Sequence, residues 1–305
     1  MNYFPILTDT VDNCGGGKTP WGTWVTCEEE RGPGEFITSQ QAGLVWQTDP
    51  SGRLMPRLTS VVPAFGGNYE SFAYDDVTYD KPHFYTTHDS DSGPTVRFIP
   101  DSAGMECYNK KKTEDKWCTL NSGSHDFLLF HSADDTNTTG TFSFTTDYDE
   151  AAKNAHDYYK AAEGMECMEG ICYMVTKREQ FLFTMDMATM TFVRTSTVSG
   201  AFNNQPDQIR LIAGASNDIV YFCEDGGDDC GVHGRDSNGN FFSILDGIDY
   251  DTETTGLDFT PDGMMMILSF QGDPGTIWVF EREDGYPFTG AVLDIKYHSA
   301  DHETD

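Results

Sequence analysis

Acidic side chains recur at regular intervals along the chain and could hold metal ions. Glu163 and Asp207 are 44 residues apart, and Glu70 precedes Glu163 by 93 residues, about two such intervals. Further acids at the ends of apolar segments are Glu28 or Glu29, Asp89 and Glu224. Carboxylates that meet within a few ångströms cannot all stay ionised unless cations lie between them. The spacing therefore indicates a cation site.

The ligand chemistry points to hard cations together with one softer metal. Several carboxylate oxygens are what calcium prefers, and a thiolate at Cys14 would suit a transition metal such as iron. The alternative is a generally acidic surface, because the chain contains 50 acidic residues.

Short strands are predicted to position these acids. Segments that begin at Glu70, Glu163, Asp207 and Thr255 each carry a polar residue followed by two apolar strands. The last two steps are 44 and 48 residues, so a further repeat is expected near Trp117 and another near Trp24. This period favours an all-β fold, a six-bladed β-propeller of four-stranded blades. A large β-sandwich is the alternative.

Domain organisation follows from the same repeat. Residues 1–305 are predicted to form a single β-propeller domain with an inserted helical or loop segment around 147–162. Within it, Asp149 to Ala162 has the composition of a helix that begins with acidic residues. The first strands of the blades would line a central channel, so their acids would meet at one end of it.

The charge of the chain excludes several partners. Lys and Arg total 19 against 50 Asp and Glu, which gives a formal net charge of −31 and a pI near 4.3. Nucleic acids and anionic membranes would be repelled. The apolar runs are too short for a membrane span, and Met1 to Thr10 lack signal-peptide features. A leader is therefore expected to be missing from this chain.

The eight cysteines indicate an oxidising compartment. Their spacing allows three local disulfides, Cys107 with Cys118, Cys167 with Cys172, and Cys223 with Cys230. Together with the glycosylation sequon at Asn137, these pairs predict an extracytoplasmic protein. Buried thiols in a cytosolic protein are the alternative.

One motif resembles a known family. The segment NCGGGKTPWGTWVTCEEE, from Asn13 to Glu30, resembles the signature of PhoX-type alkaline phosphatases. Further matches follow in order: YTTHD after Glu70, AAEG around Glu163, PDQ at Asp207, CEDGG from Cys223, and the final GLDFTPDGMMMILSFQGDPG. The resemblance spans nearly the whole chain, and that family is a six-bladed propeller.

The resemblance implies a phosphomonoesterase with an iron and calcium cluster at the mouth of the channel. The metal ligands that it implies are Cys14, Glu29, Glu70, Asp89, Glu163, Asp207 and Glu224. Cys14, Glu29 and Glu163 would form the catalytic core of this cluster, with Cys14 bridging to iron. No other cofactor is expected.

The chain departs from the family pattern at the arginine that is expected to bind the phosphate. Ala161 stands where the family has an arginine, and the adjacent Lys160 is the candidate substitute, although only as a point charge. His88 stands where the family has a glutamate. It is expected to be a partly exposed histidine, and the alternative is a neighbour of the metals. Metal binding is thus better supported than turnover.

Two principal functions follow. The first is a metal-dependent enzyme that releases phosphate from small phosphate esters. The second is a catalytically weak or inactive propeller that keeps its metals for stability and binds another protein as an assembly module. An acidic calcium-buffering protein is a third, weaker hypothesis, since it rests on the net charge of −31 alone.

Overall fold

A computed structural model describes residues 4–29, 43–212, 219–226, 230–245, 252–272 and 275–289. Contacts divide the chain into two compact units. The first comprises residues 1–173 with 183–194, and the second comprises residues 174–182 with 195–305. The prediction of a single domain stays a prediction.

Antiparallel strands dominate both units. A first, four-stranded sheet consists of β1 (Asn13–Lys18), β2 (Trp24–Glu28), β3 (Val45–Thr48) and β4 (Arg57–Leu58). A nine-stranded sheet has the order β10-β11-β12-β13-β9-β8-β7-β6-β5. Its strands are β5 (Tyr69–Asp75), β6 (His83–His88), β7 (Val96–Pro100), β8 (Gly123–Ser132), β9 (Thr139–Thr145), β10 (Ala162–Met168), β11 (Ile171–Thr176), β12 (Phe181–Asp186) and β13 (Thr191–Ser196).

The second unit contains two further sheets. The four-stranded one consists of β14 (Gln205–Arg210), β15 (Val220–Asp225), β16 (Val232–Arg235) and β17 (Phe241–Leu245). The three-stranded one consists of β18 (Thr254–Phe259), β19 (Met265–Phe270) and β20 (Thr276–Glu281). These successive antiparallel meanders confirm the predicted all-β class and give a β-propeller-like fold.

The predicted blade count is not confirmed. The described strands form meanders that begin at β1, β5, β10, β14 and β18. The separate repeat expected near Trp117 is absent from them, because Trp117 lies in a 3-10 helix (Thr113–Asn121) and DFLLFHS lies in β8, which pairs with β7. In the first unit, Ser71 on β5 hydrogen-bonds directly to the backbone of Met165 on β10, so no strand intervenes between them.

The same β-bulge recurs at the start of several meanders. Asn13 pairs with Glu28 but Gly16 pairs with Thr26, so Cys14 and Gly15 oppose the single residue Cys27. A bulge inserts one extra residue, bends the strand and redirects a side chain. Equivalent bulges place Glu70 opposite Thr87 in the first unit and Asp207 opposite Cys223 in the second.

Among the described residues, two short α-helices and the 3-10 helix interrupt the strands. α1 (Ser102–Tyr108) is capped by Asp101, whose side chain accepts the amides of Ala103 and Gly104. α2 (Tyr148–Tyr158) is capped by Asp147, which accepts the amide of Glu150. The helix predicted over 149–162 is therefore confirmed but ends earlier, since Ala162 already begins β10. None of the described helices is long and apolar enough to span a membrane.

Two of the three predicted disulfides form. Cys107 is bonded to Cys118, which joins α1 to the 3-10 helix, and Cys167 is bonded to Cys172 across the turn between β10 and β11. The prediction of a Cys223–Cys230 bond is wrong. Cys223 pairs with Val232 in the ladder between β15 and β16, whereas the Cys230 thiol turns back to the carbonyl of Gly226 at 2.9 Å.

Candidate metal centre

Five predicted ligands gather at one place in the first unit. Ligand atoms of Cys14, Glu29 and Glu70 all lie within 4.8 Å of one another, and so do those of Glu70, Asp89 and Glu163. Glu70 belongs to both groups and therefore joins them into one cluster, which we call the acidic centre. It is a set of residues that could hold a metal.

The sheet explains why residues so distant in sequence meet. Cys14 and Glu70 are the first bulge residues of β1 and β5, and Glu163 is the second residue of β10. Glu29 and Asp89 directly follow β2 and β6, the strands that pair with β1 and β5. In an antiparallel sheet the start of one strand and the end of its partner lie at the same end of the sheet. Because β1, β2 and β10 all lie against β5, the five side chains are presented together.

Two of the acids at this centre are deeply buried. Glu70 and Glu163 are 2% and 1% exposed, whereas Cys14, Glu29 and Asp89 are half-buried. Ionised carboxyls at such depth are costly unless cations or protons balance them. A thiol with several carboxylates is a donor set that suits both a transition metal and a hard cation, so these residues fit the implied metals.

The structure resolves the choice between Glu28 and Glu29. Glu28 is buried and its oxygens accept the Trp46 indole at 2.9 Å and the amides of Leu44 and Val11 at 3.1 and 3.3 Å. These donors occupy both carboxyl oxygens, so Glu28 stabilises the first, four-stranded sheet. Glu29 is the member of the pair that reaches the acidic centre.

Cys27 differs from Cys14 although both lie in the same hairpin. Cys27 is fully buried, and burial together with nearby Glu70 raises the pKa of its thiol well above the usual value. A protonated thiol is a poor metal ligand. Cys14 is half-exposed and belongs to the acidic centre, so it is the cysteine suited to bind metal.

Asp207 and Glu224 lie in the second unit, where each has other partners. Glu224 is fully buried and accepts the amides of Asn204 at 2.8 Å and Gly231 at 3.1 Å. Oε2 of Glu224, which accepts from Gly231, also lies 3.0 Å from Nε2 of His233. Glu224 thus repeats the hydrogen-bonded role of Glu28, and a metal-binding role for it stays a prediction without support from these contacts.

Asp207 belongs to a second acidic cluster that sequence reasoning missed. Its carboxyl is hydrogen-bonded to that of Glu253, and Asp225 and Lys177 act on both electrostatically. Burial raises the pKa of Asp207 to about 6, and burial together with Asp207 raises the pKa of Glu253 to about 9. Two buried carboxyls in contact share a proton for this reason. The missed signal was the alignment of CEE at 27–29 with CED at 223–225, which pairs Glu29 with Asp225.

Lys160 and Ala161, at the position of the expected phosphate-binding arginine, shortly precede Glu163 in the sequence. Ala161 is buried with a φ of 51°, and its amide donates to the carbonyl of Ser90 at 3.0 Å. A residue other than glycine at positive φ stores strain of the kind that clusters at functional sites. Lys160 is half-buried beside it, and its role as substitute stays a prediction.

His88 is buried, so the expectation of a partly exposed histidine is wrong. Its ring lies 5.2 Å from that of Tyr69, and burial lowers its pKa to about 4. Gly67 and Gly93 lie so close to the ring that a Cβ at Gly93 would meet it at 2.5 Å. His88 is therefore a neutral packing residue.

A cavity of about 650 Å³ in the second unit is lined by side chains other than these acids, among them Phe242, Leu245, Met266, Phe280 and Arg282. It lies between strands of the last two sheets.

Comparisons with known proteins agree with the sequence resemblance. The family described as alkaline phosphatase PhoX matches residues 3–116, which contain Cys14, Glu29, Glu70 and Asp89. Among solved structures, Pseudomonas fluorescens PhoX in complex with vanadate, a transition-state analogue, is similar with a TM-score of 0.68 and 15% identity. That match covers 93% of this chain and 71% of the other.

Other comparisons add little. A nidogen–laminin complex is similar with a TM-score of 0.48 and 10% identity over 87% of this chain and 80% of the other. No curated protein matches the chain in sequence. The resemblance to the PhoX family is confirmed over residues 3–116, and the structural likeness concerns the fold.

Proposed function

We propose that the protein is a metal-dependent phosphomonoesterase of the PhoX kind, which releases phosphate from small phosphate esters. The observation that carries the proposal is the acidic centre, in which Cys14, Glu29, Glu70, Asp89 and Glu163 converge from three neighbouring meanders. The similarity of residues 3–116 to the alkaline phosphatase PhoX family supports the same reaction class. Iron and calcium are the metals we propose, on the strength of the donor set.

The residues of the centre have distinct tasks in this proposal. Bound metal ions would neutralise a phosphate dianion and polarise its oxygens. Cys14 would supply the soft donor, and the half-buried Glu29 and Asp89 would hold the ions nearest to solvent. Glu70 and Glu163 are buried beneath them and fix the spacing of the centre because their strands are held together by Ser71 and Met165.

The net charge and the disulfides bear on the partners and the location that we propose. A small phosphate ester is the proposed substrate, and nucleic acid and membrane surfaces are not expected as partners given the net charge of −31. The two disulfides, Cys107–Cys118 and Cys167–Cys172, support an extracytoplasmic location.

A second candidate function is a metal-stabilised binding or assembly module. The observation that favours it is Ala161, a methyl side chain at the position of the family's arginine. A bidentate guanidinium aimed at transition-state charge contributes several kcal/mol to catalysis, roughly 3 kcal/mol for one well-placed donor. Without it, the acidic centre would still bind metals while hydrolysis slowed.

Hydrolysis of an aryl phosphate, measured with and without chelator, tests the enzyme. We expect chelator-sensitive release of phosphate, and Glu163→Gln should lower it by more than the roughly 10- to 100-fold typical of a residue one shell removed from a metal. Glu106→Gln, at an exposed position of α1, is the matched control and should leave the rate unchanged. Metal bound without any chelator-sensitive hydrolysis would favour the binding module instead.

A further inference from the structure

In the part of the chain that the structure describes, the three-stranded sheet of the second unit ends in a strand with one open edge. β20 pairs with β19 on one side, and none of the described strands lies along its other side. In the four-stranded sheet of the same unit, the third strand, β16, lies between β15 and β17 and is mostly buried. The last sheet therefore has an open edge at the place where its neighbour has a fourth strand.

The side chains of β20 are apolar on both faces although they are exposed. Alternation places Ile277 and Val279 on one face, where they are 68% and 53% exposed. Trp278 is on the other face and is 44% exposed. Soluble proteins usually protect an open edge with charged residues or proline, because its free main-chain groups can pair with another strand. The apolar edge of β20 is therefore suited to receive one.

A cavity lies beside β20. It has a volume of about 650 Å³ and is lined by Leu245 and other residues of β17, by Phe280 of β20, and by Phe288. Phe280 is on the same face of β20 as Trp278, and their rings are stacked 6.4 Å apart. A strand added to the edge would direct alternate side chains to this face, where the cavity provides apolar contacts.

The cavity is acidic at the end where β20 finishes. Glu281, Glu283 and Asp284 line it there, and all three are exposed. Arg282 also lines it, but its guanidinium Nε donates to Oδ1 of Asp284 at 2.9 Å and another of its nitrogens donates to the carbonyl of Pro287. One arginine offsets one of three acids, so this end of the cavity has a net negative charge.

This charge distinguishes the segments that could cover the edge. A second copy of the chain would bring a further net charge of −31. Residues 290–305 of the same chain carry four acids against one lysine, so they are acidic as well. Like charges across an interface disfavour association, whereas opposite charges favour it. A positively charged segment of another protein is thus the occupant that is complementary to this end of the cavity.

We propose that β20 and the cavity beside it form a docking surface for an extended, basic segment of a partner protein, which adds to the sheet as a fourth strand. Main-chain hydrogen bonds along β20 provide the affinity, and alternate apolar side chains that pack near Trp278 and Phe280 provide the specificity. An antiparallel segment begins at the end of β20, so basic residues at its start meet Glu281 and Glu283. The inference goes beyond the phosphomonoesterase and does not depend on it, because β20 contributes no residue to the acidic centre.

A labelled synthetic peptide tests the docking surface. The probe has two lysines followed by alternating valine and threonine, and its binding to the purified full chain is measured by fluorescence anisotropy. We expect saturable binding that weakens as salt is raised, because salt screens exposed charges. A peptide with two glutamates in place of the lysines should bind at least about tenfold more weakly, since like charges then meet. Equal binding of the two peptides would overturn the role of the acids.

A variant of the edge tests where the peptide binds. Val279→Lys places a charge on the open edge, which opposes strand addition, and the exposure of Val279 should allow the variant to fold with an unchanged Tm. It should bind the lysine peptide at least about tenfold more weakly, as expected for a central interface residue. Val193→Lys is the matched control, because Val193 is 50% exposed but lies on β13, which is paired on both sides. Unchanged affinity in well-folded Val279→Lys would overturn the proposal.

Two measurements separate a partner protein from the other occupants. Sedimentation of the full chain should give a monomer at the concentration of the assay, and a dimer that Val279→Lys dissociates would overturn the proposal in favour of a second copy. Ile295→Pro removes a main-chain donor from residues 290–305 and should leave the affinity for the peptide unchanged. Peptide binding that appears only in Ile295→Pro would overturn the proposal in favour of the chain's own residues.

Discussion

At the residue scale, hydrogen-bond donors separate acids that look equivalent in the sequence. Glu28 and Glu29 are neighbours of the same type, yet only Glu28 is met by the Trp46 indole and backbone amides. A carboxylate with such donors is already satisfied, whereas Glu29 faces other acids. In the second unit Glu224 likewise accepts backbone amides and lies against His233, whereas its neighbour Asp225 pairs with Lys177.

The first prediction compares these neighbours directly. Glu28→Gln should lower the free energy of unfolding by about 1–3 kcal/mol, because a buried charge-assisted acceptor is replaced by an amide with the wrong donors, while metal content stays the same. Glu29→Gln should lower the metal content and leave the free energy of unfolding of the metal-free protein unchanged. Chemical denaturation and elemental analysis of both variants check this, and equal effects in both would contradict it.

A second prediction concerns the position of the missing arginine. If the proposed enzyme lacks only a phosphate-binding arginine, Ala161→Arg should raise kcat/KM for an aryl phosphate by at least about tenfold. One well-placed donor to transition-state charge changes the rate by more than this factor. Ala161→Met has similar length without charge and serves as the control. An increase in both variants would point to altered packing at this buried position.

A third prediction follows from the raised pKa of Glu253. Its pKa of about 9 in the folded protein, against 4.5 ordinarily, means that the folded state keeps a proton which the unfolded chain releases. Stability from this carboxyl is therefore fully present below pH 4.5 and is lost as pH rises towards 9. In chelator, the Tm of Glu253→Gln relative to the unchanged protein should increase over this range, and a flat difference would refute the shift.

At the element scale, the β-bulge and the chain that leads into each first strand determine the site. The bulges of β1 and β5 redirect Cys14 and Glu70, and plain alternation along the strand would not reproduce this placement. The segments between strands are held by local devices, such as the Asp147 cap of α2 and the disulfide that joins α1 to the 3-10 helix.

A fourth prediction tests that disulfide. Its cysteines are 11 residues apart, so the double variant Cys107→Ser, Cys118→Ser should lose about 2–4 kcal/mol of stability as the unfolded chain regains freedom. The acidic centre includes no residue of this loop, so metal content should be retained. Denaturation with and without reductant measures the first effect, and metal loss in the variant would contradict the second.

At the scale of the whole molecule, the excess of acids is the dominant property. A net charge of −31 on 305 residues destabilises the folded chain through self-repulsion and disfavours anionic partners. It also makes cations, whether metal ions or Lys177, valuable wherever acids are buried. The substrate proposed here is itself an anion, so its binding depends on those cations.

A fifth prediction follows from this charge. Raising sodium chloride from about 0.01 M to 0.15 M shortens the screening length from roughly 30 Å to 8 Å and should raise the Tm in the presence of chelator. Choline chloride at the same ionic strength should act equally, because screening does not depend on ion identity. A rise with sodium alone would indicate specific binding instead.

The sequence by itself determined the all-β class, the family resemblance and five residues of the acidic centre, because repeated spacing and residue type are local properties of the chain. It also predicted two disulfides whose cysteines lie close together along the chain. It misplaced a repeat at Trp117 and paired Cys223 with Cys230. It also did not distinguish Glu28 from Glu29 as the member of the acidic centre.

Those points depend on strand pairing and on which donors surround a buried group, and both are settled only when distant segments meet. Lys177, Asp225 and Glu253 show this most clearly. They are spread over more than seventy residues and carry no motif, yet the fold brings their charges together. Electrostatic energy depends on distances through space and on burial, so only the tertiary structure decided how these acids are neutralised.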